Sequence, residues 1–86
     1  MGTFREYLEL IFGQSLTSNR LKNLLGLNHT EICRRWLRGK FYPSGQYIEK
    51  ISLVTGKEYE EIELIINCFK IKNKYIREKL LKECIH

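Results

Sequence analysis

Four cationic side chains, Arg34, Arg35, Arg38 and Lys40, fall within seven residues near the middle of this 86-residue chain, just after His29, Thr30 and Glu31. A guanidinium held in the open makes two parallel hydrogen bonds to a phosphate or carboxylate, so this grouping suits anion binding better than bond cleavage. Groupings that would support catalysis are sparse. All ten acids are glutamates, and no nucleophile–base pair, phosphate-cradling glycine loop or paired-acid motif stands out. His29 and His86 with Cys33, Cys68 and Cys84 do not make a zinc-site spacing, and Cys84-Ile85-His86 supplies two ligands at most. The chain does not read as an enzyme, and no metal or cofactor is expected. Residues 1–12 carry Arg5, Glu6 and Glu9 and do not read as a signal peptide. Without one, three unpatterned cysteines read as reduced thiols of a cytoplasmic protein. Cys33, beside the arginines, is a candidate for coupling oxidation to release of their ligand.

Charge is segregated along the chain. The formal net charge is +5 with a pI near 9.2. Residues 17–45 hold Arg20, Lys22 and the four central cations against Glu31 alone. Residues 46–69 are acidic, and residues 70–86 are basic again through five lysines and Arg77. Such clustering favours a polyanion-facing surface over simple solvation. The 43% hydrophobic and 29% charged residues fit one folded domain, and no apolar run is long enough to span a membrane.

The elements that must hold these cations are short helices with marked ends. Thr3 caps a first helix with Glu6 as its capping-box partner, and Phe4, Tyr7, Leu8, Ile11 and Phe12 recur at helical spacing up to Gly13. Thr17 caps a second, with Leu16 and Leu21 as a hydrophobic staple, Leu24 and Leu25 on the same stripe, and Gly26 closing it. Asn28 reads as the next cap, with Glu31 completing a capping box and Leu27 and Ile32 stapled across it, so Gly26 to Asn28 forms a tight turn. Ile32 and Trp36 then face inward until Arg38-Gly39-Lys40. Ser44 opens a fourth helix, with Tyr47, Ile48, Ile51 and Val54 on its apolar side and Gly56 at its end. A fifth runs from about Glu58 through Tyr59, Ile62, Ile65, Ile66 and Phe69. A last helical pattern covers Ile71 to Cys84 through Tyr75, Ile76, Leu80 and Leu81. No alternating strand intervenes, so the expected class is all-α.

Two short helices joined by a tight glycine-containing turn form a helix-turn-helix. The stretch Leu16 to Ile62 resembles the phage-repressor-like (XRE, Cro-type) helix-turn-helix family. The resemblance rests on Leu16-Thr17, Leu24-Leu25-Gly26-Leu27, Ile32, Trp36-Leu37-Arg38-Gly39-Lys40, Pro43-Ser44, Ile48, Ile51, Thr55-Gly56 and Tyr59 with Ile62. The chain departs from the family pattern in three places: one extra residue between Gly26 and Gly39, no alanine in the second helix, and Leu37 where an acid is frequent. The extra residue leaves open which side chains after Ile32 reach bases. The resemblance implies a compact five-helix repressor-like DNA-binding domain over residues 1–70, with an additional C-terminal helix in 71–86 as part of the same unit. It also implies a transcriptional regulator, typically a repressor acting as a homodimer on a palindromic operator of nucleoid DNA. Some relatives use the same fold for protein contacts, so an antirepressor-like protein-binding module is the alternative.

A helical projection sorts the third helix independently of the family. With Ile32 and Trp36 inward, the opposite stripe contains Thr30, Arg34 and Arg38. Arg34 is the expected base reader, through guanine O6 and N7, assisted by His29 and Thr30. Arg35, Arg38 and Lys40 are expected at phosphates; the resemblance adds Ser18 and Asn19, which match family positions that contact phosphate. Ile62, Phe69 and Ile76 are spaced by seven, with Leu80 on a parallel row. They would serve either dimerisation or a last helix folded back over Phe4, Leu8 and Ile11.

Overall fold

Thr3 and Thr17 each hold a side-chain oxygen 3.1 Å from the amide three residues on, Glu6 N and Arg20 N, and a helix follows each. These begin α1 (Phe4–Phe12) and α2 (Ser18–Leu25) of a computed structural model that describes residues 2–84. Four more helices complete it: α3 (Glu31–Leu37), α4 (Gly45–Thr55), α5 (Tyr59–Phe69) and α6 (Lys74–Cys84). Among the described residues there is no strand. The all-α reading is correct at this level.

The α1–α2 junction is fixed by a charged clamp that sequence reading missed. Arg5 Nη2 donates to the Leu16 carbonyl at 2.8 Å, and the Leu16 amide donates to Glu9 Oε2 at 2.8 Å. Arg5 and Glu9 lie 3.8 Å apart. The clamp holds Leu16, itself fully buried, at the start of α2. Gly26 then adopts φ +67°, and Leu27 N bonds Lys22 O at 2.9 Å, which completes a left-handed helix end that glycine reaches without a Cβ penalty.

The start of α3 differs from expectation. Asn28 does not cap it; the helix begins at Glu31, and residues 26–30 make a five-residue connection. Thr30 takes the cap position with near-helical backbone angles, and its carbonyl receives the first helical bond from Arg34 N at 2.9 Å. The Glu31 carboxylate pairs with the Arg34 and Arg35 guanidiniums, so it does not reach back to close a capping box on Asn28.

The phase of α3 is also corrected. Cys33 and Trp36 are the fully buried pair, at 0% and 1% exposure, while Ile32 is only half-buried. The inward direction therefore turns by about 50° from the expected one. Trp36 packs edge-on against Tyr47 of α4, centroids 5.2 Å apart, and Phe4 meets both Tyr42 and Phe69 the same way. These contacts tie α3 to α4 and α1 to α5, and α3 also packs on α1 and α2.

The C-terminal part is a helical hairpin. Ile62 and Phe69 are buried in the core of the single chain, together with Ile65, Ile66 and Cys68, so they do not form a free dimer seam. α6 starts at Lys74, later than Ile71, because Asn73 Oδ1 accepts from Ile76 N at 3.1 Å and caps it. It packs chiefly on α5 through Leu81, with Leu80 and Cys84 partly covered. Tyr75 and Ile76, expected on its apolar side, are exposed, as is Val54 on α4.

Candidate nucleic-acid interface

The interface is built outward from Trp36 and Cys33. With these two inward, the opposite edge of α3 is formed by Glu31, Arg34, Arg35 and Arg38, all of them exposed. Thr30 falls about a quarter turn to the side and is half-buried. Arg38 ends the helix, Gly39 turns with φ +69°, and Lys40 N bonds back to Arg35 O at 3.0 Å. That turn keeps Lys40, also exposed, beside the end of α3.

Glu31 organises the edge. Its Oε2 lies 2.7 Å from Arg34 Nη1 and its Oε1 3.5 Å from Arg35 Nε. Ion pairs this exposed contribute about 0–1 kcal/mol, so both guanidiniums exchange to a better anion at small cost. The carboxylate also sets a penalty on nonspecific anions, because any phosphate drawn to Arg34 approaches Glu31 as well. The Arg35 guanidinium carbon stands 5.2 Å over the Phe41 ring, a cation–π contact that fixes its direction. Among the described residues Arg38 and Lys40 form no ion pair with a carboxylate.

His29 is exposed in the connection before α3. It lines a depression of about 200 Å³ with Leu27, Ile32, Tyr47 and Lys50, and Ile32 lies across the helix from Arg34. Arg34 does not line that depression, whereas Thr30 lies one helical turn before Arg34, whose amide bonds the Thr30 carbonyl at 2.9 Å. Lys50 of α4 is a cation that sequence reading did not associate with this region. Its signal was faint, one of two lysines in an acidic segment. Ser18 and Asn19 occupy the first turn of α2, half-buried and exposed respectively.

Cys33 is a correction. Its thiol lies beneath the arginines in the core, and burial pushes its pKa up, with Lys22 pulling weakly the other way. A buried neutral thiol is a poor oxidation target, which removes it as a redox trigger. Among the described residues no group of three or more histidine, cysteine or acidic side chains comes together around a common point. His86, the other member of the terminal ligand pair that Cys84 would form, lies outside the described residues. Among the described residues no helix is long and apolar enough to cross a membrane.

No protein-family model, no curated protein and no solved structure matches the chain.

Proposed function

We propose that the protein is a sequence-specific duplex-DNA-binding regulator of transcription, a repressor of helix-turn-helix type acting as a homodimer on a palindromic operator. The observation that carries this reading is the exposed edge of α3, where Arg34, Arg35 and Arg38 stand over a fully buried tryptophan. A short helix anchored on one side and cationic on the other is the shape that a major groove of about 12 Å accepts. Arg34 is assigned to base edges. Arg35, Arg38 and Lys40 are assigned to phosphates, with Ser18 and Asn19 at the start of α2. His29 and Thr30 are assigned supporting contacts at the near end of α3.

A second reading is favoured by one observation. Leu53 is 85% exposed and, with Glu49, Ser52 and Tyr59, lines a groove between α4 and α5, while Val54 beside it is exposed too. Unpaired apolar side chains of this size suit a protein partner, either in place of DNA or alongside it.

Selection of binders from randomised duplex DNA tests the proposal. A regulator of this kind enriches one motif, and the spacing of its half-sites reports how two copies are held. A pool that stays random, with no shift of any duplex at low salt, rejects DNA binding in favour of the protein-binding module.

A further inference from the structure

We propose that the depression between the start of α1 and the end of α3 is a binding site for a phosphate group. The depression encloses about 290 Å³, at the small end of ligand sites. Three separate elements bring arginines to it, Arg5 from α1, Arg38 from the end of α3 and Arg77 from α6, and Phe4, Tyr42 and Phe69 make its apolar wall. Among the described residues no acid lines it, although Glu6 Oε1 accepts from the lining Thr3 hydroxyl at 3.3 Å.

The three arginines are not equally committed. Arg5 is partly neutralised by Glu9 at 3.8 Å and spends one N–H on Leu16 O. Arg77 spends one N–H on Ile71 O at 3.2 Å, which points the group while leaving most of its five donors unused. Arg38 makes no side-chain hydrogen bond to any described residue. Two guanidiniums without a carboxylate partner, gathered in one concavity, repel each other until an anion sits between them. A phosphate has the charge and the several acceptor oxygens to engage both in the bidentate manner guanidiniums favour. The apolar wall leaves room for the carbon skeleton that carries it. Phe4 and Arg5 also open α1, whose first-turn amides add a small favourable field.

The site shares Arg38 with the DNA reading and otherwise stands apart from it, since Arg77 belongs to neither α2 nor α3. The phosphate has two possible sources, a free phosphate-bearing small molecule or the backbone of a bound duplex. Calorimetric titration of the full chain with inorganic pyrophosphate and with AMP, and anisotropy titration with a labelled duplex, separate them. The variants are Arg77→Gln and Arg38→Gln. If the source is free, both variants weaken pyrophosphate or AMP binding tenfold or more, and Arg77→Gln leaves duplex affinity unchanged. If the source is DNA, the small molecules do not bind, and Arg77→Gln lowers duplex affinity and reduces the salt slope by about one. Circular dichroism checks each fold. Should Arg77→Gln unfold, Arg77→Met, which keeps the aliphatic stem, replaces it in both titrations. The proposal is overturned if wild-type protein binds neither small molecule and Arg77→Gln leaves duplex affinity intact, or if small molecules bind and neither substitution weakens them. Pyrophosphate or AMP binding by a protein that ignores DNA would sink the regulator reading and leave this site standing.

Discussion

α3 and α6 bear similar positive charge on very different foundations. Arg34, Arg35, Arg38 and Lys40 lie on or just beyond α3, and Lys74, Arg77, Lys79 and Lys82 lie on α6. Beneath α3 are Cys33 and Trp36, both fully buried, with Ile32 and Leu37 packed around them. Beneath α6 only Leu81 is buried, and the helix leans mainly on α5. Charge density alone does not separate a recognition surface from a solvated one. The anchor does, because a cation selects among anions only when its position is fixed before they arrive. Three of the four cations at α3 are arginines with rigid forks, whereas three of the four on α6 are lysines, point charges on flexible stems.

The largest expected effect breaks the anchor. Trp36→Ala should cost roughly 3–5 kcal/mol in urea unfolding, a large part of the stability of a chain this size, and should abolish duplex binding. Leu81→Ala should cost less, about 2–3 kcal/mol, and leave duplex affinity intact. Equal losses in the two variants would erase the contrast between the helices.

The next effect lies where α1 meets α5. The Tyr7 hydroxyl is buried without a hydrogen-bond partner, and its pKa is pushed up to about 12, first by burial and then by the nearby Glu61 carboxylate. The unfolded chain ionises this tyrosine near 10, so its unfolding is favoured only above that pH. Burial also raises the Cys33 and Cys68 thiols, so stability should begin to fall above about pH 9, where unfolded thiols ionise, and Tyr7 adds a loss of roughly 2–3 kcal/mol between pH 10 and 12. Tyr7→Phe should remove only the Tyr7 share and raise stability at neutral pH by about 1 kcal/mol, because an unsatisfied polar group is lost. Denaturant midpoints across pH 8–12 measure both.

Smaller still is the electrostatic tuning of the α3 edge. Glu31→Gln frees Arg34 and Arg35 from an exposed ion pair, so stability should change by only about 0–1 kcal/mol. Duplex affinity should rise on specific and random DNA together, narrowing the ratio between them. Lys82→Ala on α6 should change neither, and a clear loss of affinity there would extend the interface well beyond α3.

Most helix boundaries were legible because they rest on local chemistry. Thr3, Thr17, Gly13, Gly26 and Gly56 do what a threonine cap or a left-handed glycine does wherever the chain places them. The start of α3 was not legible in the same way. Asn28 and Glu31 have capping-box spacing, but Glu31 also lies within reach of two arginines, and sequence spacing does not rank those partners. The phase of α3 was missed because Cys33 is small and ambiguous, whereas Ile32 is an obvious core residue. Only the packing of Trp36 against Tyr47 decides between them. The heptad of Ile62, Phe69 and Ile76 was real as a pattern, but a repeat of seven does not say whether its partner is another copy or the rest of the same chain. Ile62 and Phe69 went to the core, and Ile76 stayed outside. Within the candidate interface, the exposure of Arg34, Arg35, Arg38 and Lys40 was legible. The depression that His29 shares with Lys50 depends on a five-residue connection and on α4, which no local pattern encodes.

The most direct test compares wild-type protein with Arg34→Ala by fluorescence anisotropy on a selected duplex and its scrambled counterpart at one fixed salt concentration. The account predicts that wild type prefers the selected duplex by about a thousandfold or more, and that Arg34→Ala gives up roughly 10- to 100-fold of that preference while keeping its affinity for scrambled DNA. Identical binding of both duplexes by wild type, or a preference untouched in Arg34→Ala, would contradict it.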